Sequence, residues 1–187
     1  MTDKPITFRR DMIRALREGR KTQTRRVLKY DKCGAPIMPV VERDRLWVRE
    51  AWRTSPAYDD LKPSDMGGDE SIFYEADGTW ESWGWGNIGC ISGGRYRHAR
   101  FMPRWASRTT LVVTDVRAQR VQEISAEDTK AEGVPFDASA LAPYEWSVSR
   151  FRDLWNSIHG PGAWDQNPWV AAIRFTVHKC NINQMGA

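Results

Sequence analysis

The stretch GRKTQTRR, residues 19–26, sets four cations (Arg20, Lys21, Arg25, Arg26) beside two threonines, directly after a short amphipathic segment. Like charges packed this densely repel one another. Such a cluster can grip phosphate, lower the proton affinity of one of its own members, or do both. Two other stretches carry residue types suited to a site. In RLWVREAW, residues 45–52, strand alternation puts Glu50 and Trp52 on one side and Arg49 on the other. Trp52 can stack on a flat base or fill the core, and Glu50 can read a base edge or pair with an arginine. In MPRWASR, residues 102–108, Arg104 and Arg108 suit phosphate through their planar forks, and Trp105 either stacks or packs.

Regular elements must hold these residues in place. Residues 9–18 put Met12, Ile13 and Leu16 on one helical face, with Gly19 as the C-terminal cap. Residues 45–50 and 71–76 read as strands, whereas 53–69 and 77–100 are rich in Gly, Pro, Asp and Ser and read as long loops. The tract GTWESWGWGNIGCISGG, residues 78–94, reads as a lid or an insertion. Residues 108–122 form a β-branched run that makes one bent strand or two. SAEDTKAEG, residues 125–133, opens on a Ser cap and ends on Gly133 as a short helix. Tyr144, Val148, Phe151, Leu154, Trp155 and Ile158 recur at steps of three and four, which predicts an amphipathic helix over 144–159. The last strand, 169–177, alternates through Ala171, Ile173, Phe175 and Val177, preceded by a WDQNPW turn that Trp164 and Trp169 are expected to anchor to the core. Strands outnumber helices without alternating regularly with them. The expected class is therefore α+β, a small mixed β-barrel with flanking helices, in one domain over residues 1–187 with a long irregular insertion at 53–100.

Composition narrows the function classes. The 187 residues suit one domain, no run is long and apolar enough for a membrane span, and the N-terminus lacks the apolar centre of a secretory signal. A cytoplasmic protein with no membrane partner is expected. Cys33, Cys90 and Cys180 are widely spaced and lack CxxC pairing, so they read as reduced thiols; no metal and no cofactor is expected. The net charge of +4 conceals a polarised distribution. Residues 1–32 hold eleven Lys or Arg against four acids, and residues 93–108 add five arginines and no acid. Residues 59–81 carry eight acids against Lys62 alone. The basic segments make either a field for a polyanion such as RNA or DNA, or faces paired with the acidic stretch.

The helix, GRKTQTRR, DRLWVREAW, MPRWASRTTLVVTDVR, ISAEDTKAEGV and LWNSIHGPGAWDQNPWVAAIRF, in that order, resemble the ASCH family, a PUA-like β-barrel of RNA-associated domains. The chain looks similar to the longer bacterial and phage-encoded members, and residues 53–100 lie outside the resemblance. The smallest ASCH proteins include amidohydrolases that remove the acetyl group of N4-acetylcytidine with a lysine and a threonine of a GxKTxT motif and a glutamate from a later helix. Carried onto this chain, the resemblance implies Lys21, Thr24 and Glu132 as the catalytic set, with Glu127 and Asp128 one helical turn from Glu132.

In that set the lysine activates the threonine hydroxyl only after losing its own proton, which the neighbouring Arg20, Arg25 and Arg26 favour, helped by partial burial. Glu132 donates a proton to the leaving amine or orients a water. Residues 21 and 24 of a regular strand point to opposite faces, so residues 20–24 are expected to form a turn or bulge after Gly19. Arg20, Arg25, Arg26, Arg49, Glu50, Trp52, Arg104, Trp105 and Arg108 are the expected substrate or nucleic-acid contacts. The expected activity is removal of an acyl group from N4-acylated cytidine or a related modified nucleoside, free or in RNA. A non-catalytic RNA-binding module, or a metal-independent ribonuclease, is the alternative.

Overall fold

In chain order, the elements of the computed structural model begin with β1 (Asp3–Thr7), α1 (Arg10–Arg17), β2 (Gln23–Val27), β3 (Lys29–Tyr30) and β4 (Pro36–Ile37). They continue with β5 (Arg45–Arg49), β6 (Trp52–Arg53), β7 (Ser71–Tyr74), β8 (Thr79–Ser82), β9 (Thr110–Arg120), α2 (Ala126–Ala131), α3 (Pro143–His159) and β10 (Trp169–His178). The structure describes residues 2–82, 93–135 and 143–185, with 143 and 144 as backbone alone. Trp83, Trp85 and Cys90, and with them most of the expected lid, lie outside the described residues.

The class is α+β. Five strands form a mixed sheet in the order β1-β5-β9-β10-β2, with β1 parallel to β5 and β10 antiparallel to β2. The order ends on β1 and β2, so among the described residues the sheet is open where the sequence had suggested a closed barrel. No described helix is long and apolar enough to cross a membrane.

The chain folds into two compact units. The first comprises Glu18–Asp44 and Val112–Thr176. Its core gathers Val121, Ile124, Val134, Phe151, Trp155, Ala163, Trp164 and Val170, to which α3 contributes the period-3.6 stripe of Phe151 and Trp155. Ser125 caps α2 by accepting from the Asp128 amide, and Gly133 closes that helix at φ +80°. Trp164 is buried as expected, but Trp169 is 40% exposed, lying on the solvent side at the start of β10 beneath the Arg120 guanidinium.

The second unit comprises Thr2–Arg17, Arg45–Leu111 and Val177–Ala187. Its core of Trp52, Met66, Ile72, Tyr74, Met102 and Ala106 sits on the sheet β6-β7-β8. The expectation of loop throughout 77–100 fails at Thr79–Ser82. Gly78 takes φ +73° after Asp77, reversing the chain so that β8 pairs with β7, Phe73 opposite Trp80. Gly94 lies so close to the backbone of Thr54 that a Cβ there would collide with the Thr54 carbonyl.

That approach predicts that Gly94→Ala costs about 1–3 kcal/mol. The loss should appear as a lower midpoint in thermal unfolding, whereas Gly67→Ala, where a Cβ meets open space, should melt close to the wild type.

Candidate functional site

Strand β2 is short and its inward residues are polar. Alternation turns Gln23 and Arg25 to one face, and Lys21, just before the strand, reaches the same acidic partners. Those partners come from α2 and its cap, where positions 128 and 132, one turn apart, present two carboxylates on one helical face. Backbone pairing brings strand and helix together: Lys21 forms an antiparallel bridge with Glu132, and the Thr22 amide donates to the Ala131 carbonyl at 2.8 Å.

Lys21 Nζ, 2% exposed, donates to Glu132 Oε2 at 2.9 Å and to the Glu132 carbonyl at 2.8 Å. Arg25 bridges both acids, donating from Nη1 to Glu132 Oε1 at 2.9 Å and from Nη2 to Asp128 Oδ2 at 2.6 Å. The other Asp128 oxygen accepts from Arg174 at 3.2 Å and Arg117 at 3.4 Å, and Gln23 Oε1 ties the same two guanidiniums together. Four charges are buried, and two half-exposed arginines stand at the rim.

Burial pushes the Lys21 ammonium below the ordinary lysine range. Glu132 opposes that shift, and Arg26 and Arg25 add to it by smaller amounts. The direction is the expected one, but dehydration exceeds crowding by guanidinium groups as its cause. Arg20 is not among its main causes, being an exposed partner of Glu18. Burial alone would raise the Asp128 carboxyl, yet Arg25, Arg174 and Arg117 hold it below the usual carboxylate range.

The expected turn at 20–24 is also corrected. The turn is confined to Glu18–Gly19, and extended pairing already begins at Lys21 because the end of α2 offers it backbone partners. Thr24 is buried in register with Ile173, on the strand face opposite Gln23 and Arg25. The residue that shares a carboxylate with Lys21 is thus Arg25. Arg26 is half-buried, and burial lowers its proton affinity against the pull of Glu132.

The remaining expected contacts lie in the second unit. Arg108 grips Glu50 in bidentate fashion at 2.8 and 2.9 Å, donates to Asp77 at 3.0 Å and Thr79 at 2.6 Å, and lies 3.8 Å from the Tyr74 ring centroid. Burial raises the Glu50 carboxyl against the opposing pull of Arg108. Trp52 is fully buried in the core. Arg49 lies over Trp47 at 4.4 Å, Arg104 donates to Asp3 at 2.6 Å, and Trp105 packs on the core. Cys33 and Cys180 are free thiols, and no group of three potential metal ligands occurs among the described residues.

Sequence reasoning missed Asp128 as an ion partner, together with Gln23, Arg117, Arg174 and Asp77. The one signal available was the four-residue spacing of Asp128 and Glu132 on a helix. No family model, no curated protein and no solved structure matches this chain.

The lowered Asp128 carboxyl predicts acid lability. Because its folded pKa lies below the ordinary 3.8, its contribution is complete above that value and is lost as pH falls through the folded pKa. Urea unfolding at stepped pH should show a shallower acid loss in Asp128→Asn than in the wild type. An identical slope would mean that Asp128 is not held ionised by its arginines.

Proposed function

We propose that the buried cluster of the first unit is the active centre of an amidohydrolase, on an ASCH-type, PUA-like scaffold, that removes an acyl group from N4-acylated cytidine or a related modified nucleoside. The observation that carries this reading is a lysine amine withdrawn from water and held 2.9 Å from a buried carboxylate, three residues before a buried threonine. Such a pair supplies both proton acceptor and proton donor.

In the proposed reaction Thr24 Oγ attacks the acyl carbonyl while the Lys21 amine takes the hydroxyl proton. The carbon–nitrogen bond then breaks, the departing N4 amine receives a proton relayed through Glu132, and the acyl group remains as a threonine ester. Water cleaves that ester, restoring the hydroxyl and releasing the carboxylic acid. Conjugation of the amine with the pyrimidine ring eases its departure. Thr24 lies on the strand face opposite Arg25, so the reading requires residues 21–24 to rearrange in the substrate complex until the Lys21 amine reaches the Thr24 hydroxyl, which makes Thr24 the residue to test.

A second reading, a non-catalytic RNA-binding module, draws on Arg117 and Arg174, whose half-exposed guanidiniums border the cluster. Salt separates the two. Binding to a strand weakens steeply as salt rises, whereas turnover of a neutral nucleoside does not.

The purified protein is expected to convert N4-acetylcytidine to cytidine and acetate. Thr24→Val should lower kcat by about 10²–10⁴-fold with the fold intact by circular dichroism, Lys21→Met should do the same at a lower unfolding midpoint because it removes a partner of the buried Glu132, and Thr24→Ser should retain part of the rate. A wild type without turnover would hand the site to the binding module.

A further inference from the structure

The segment GGRYRHARF, residues 93–101, lies outside the family resemblance and outside the cluster described above. Within the second unit it is pinned at several points. Arg53 donates to the Gly94 carbonyl at 2.9 Å, and Arg97 and Trp52 exchange both backbone hydrogen bonds at 2.9 and 3.1 Å. The Arg97 side chain turns inward, 5.4 Å over the buried Trp52 ring, and donates to the Tyr58 carbonyl at 2.7 Å. Extended backbone at Arg97 then turns both Tyr96 and His98 outward.

The outward rings are organised. Tyr96 and His98 meet edge to face, with centroids 5.2 Å apart at 87°, and Tyr96 is 44% exposed. The following turn, Ala99–Phe101, presents Phe101, 50% exposed, with the Arg100 guanidinium 4.7 Å over its ring. Tyr96 and His98 line two cavities at once. One, of about 340 Å³, is completed by Phe8, Arg9, Arg10 and Glu75; the other, of about 260 Å³, by Leu61, Lys62, Arg95 and Phe101. The aromatic pair is a wall common to both.

The acids nearby are largely engaged. Glu75 pairs with Arg53, Glu50 with Arg108, and Asp59 accepts from the Arg95 amide at 2.6 Å, leaving Asp60 as the exposed acid of the smaller cavity. Lys62 and Arg95 line the same cavity, and Arg100 lies over the ring of Phe101 beside it.

We propose that this face binds single-stranded nucleic acid, RNA or DNA, with successive bases entering the two cavities on either side of the Tyr96–His98 wall and phosphates passing the arginines. Two volumes near or below the usual small-molecule range of roughly 300–1,000 Å³ suit one base each better than one large ligand. Aromatic faces interleaved with guanidiniums are what a strand with unpaired bases engages, because every base has a π-face and every linkage a charge. The site uses none of Lys21, Thr24 or Glu132, so it stands independently of the amidohydrolase reading.

Fluorescence anisotropy of labelled U₈ and dT₈ with the full chain at low salt tests it. At least one strand should bind at micromolar concentration, with log K falling by about 0.7 per log unit of salt for each phosphate contacted. Tyr96→Ala and Phe101→Ala should each weaken binding about tenfold, and Tyr96→Phe, which keeps the ring, should bind like the wild type. A duplex of equal length should compete about tenfold less well. The proposal fails if neither strand binds below about 100 µM, if both alanine variants bind like the wild type, or if the duplex competes equally. Tyr96→Ala should hydrolyse free N4-acetylcytidine at the wild-type rate, so the two readings fail in separate assays.

Discussion

Lys21, Arg25, Asp128 and Glu132 are almost withdrawn from water inside one unit, and each is tolerable there only because the others are present. A buried ion without its partner is heavily penalised, so this quartet dictates geometry around it. The two carboxylates must sit one helical turn apart, and β2 must present Arg25 rather than Thr24 to them. Its register on β10, with Thr24 opposite Ile173, delivers that face. A slip of one residue would place a threonine against two buried carboxylates and turn a guanidinium toward apolar neighbours.

The second unit meets the same constraint differently. Arg108 occupies the centre, with Glu50, Asp77, Thr79 and Glu81 around its edge and the Tyr74 ring against its face. Burial disfavours a charged Arg108, but hydrogen bonds and attraction from Glu50 and Asp77 outweigh that penalty and raise its proton affinity. Part of the acidic excess in residues 59–81 is therefore spent on internal pairing: Glu75 with Arg53, Asp77 with Arg17 and Arg108. Charge polarity along the chain thus reports internal partners. Arg95 and Arg100, by contrast, are exposed.

Apolar periodicity made β9, α3 and β10 legible, and a Ser cap with a terminal glycine did the same for α2. Strand β2 escaped because its buried residues are Gln23, Thr24 and Arg25, which a hydropathy pattern assigns to solvent. β8 escaped because the glycine-rich composition around it masked the Asp77–Gly78 reversal, and β1 because Pro5 and two flanking charges obscure alternation. At the site, Lys21 and Glu132 were brought together by resemblance alone. Residue physics offers no means of pairing side chains 111 positions apart, nor of foreseeing that Arg25 would bridge Glu132 and Asp128. Dehydration of Lys21 was underestimated for the same reason, since burial is a property of the fold.

On the amidohydrolase reading, the decisive quantity is the position of one proton between Lys21 and Glu132. Moving it from Nζ to Oε2 converts an ion pair into a neutral amine and a neutral acid without changing the net charge. A dry environment penalises the ion pair and spares the neutral pair, so exclusion of water by a bound substrate favours the transfer. Arg25 shares the same carboxylate, donating to Oε1. Asp128 moderates that grip by drawing on the same guanidinium, and Arg174 and Arg117 compete in turn for Asp128. A chain of shared partners therefore connects the half-exposed rim to the buried amine. Contact of an anionic group with Arg117 or Arg174 would weaken their hold on Asp128 and leave Asp128 to bind Arg25 more fully, loosening the hydrogen bond from Arg25 to Glu132. On that reading, one proton passed from Nζ to Oε2 would supply both groups the reaction calls for, an amine to take the hydroxyl proton and a carboxylic acid to protonate the departing amine.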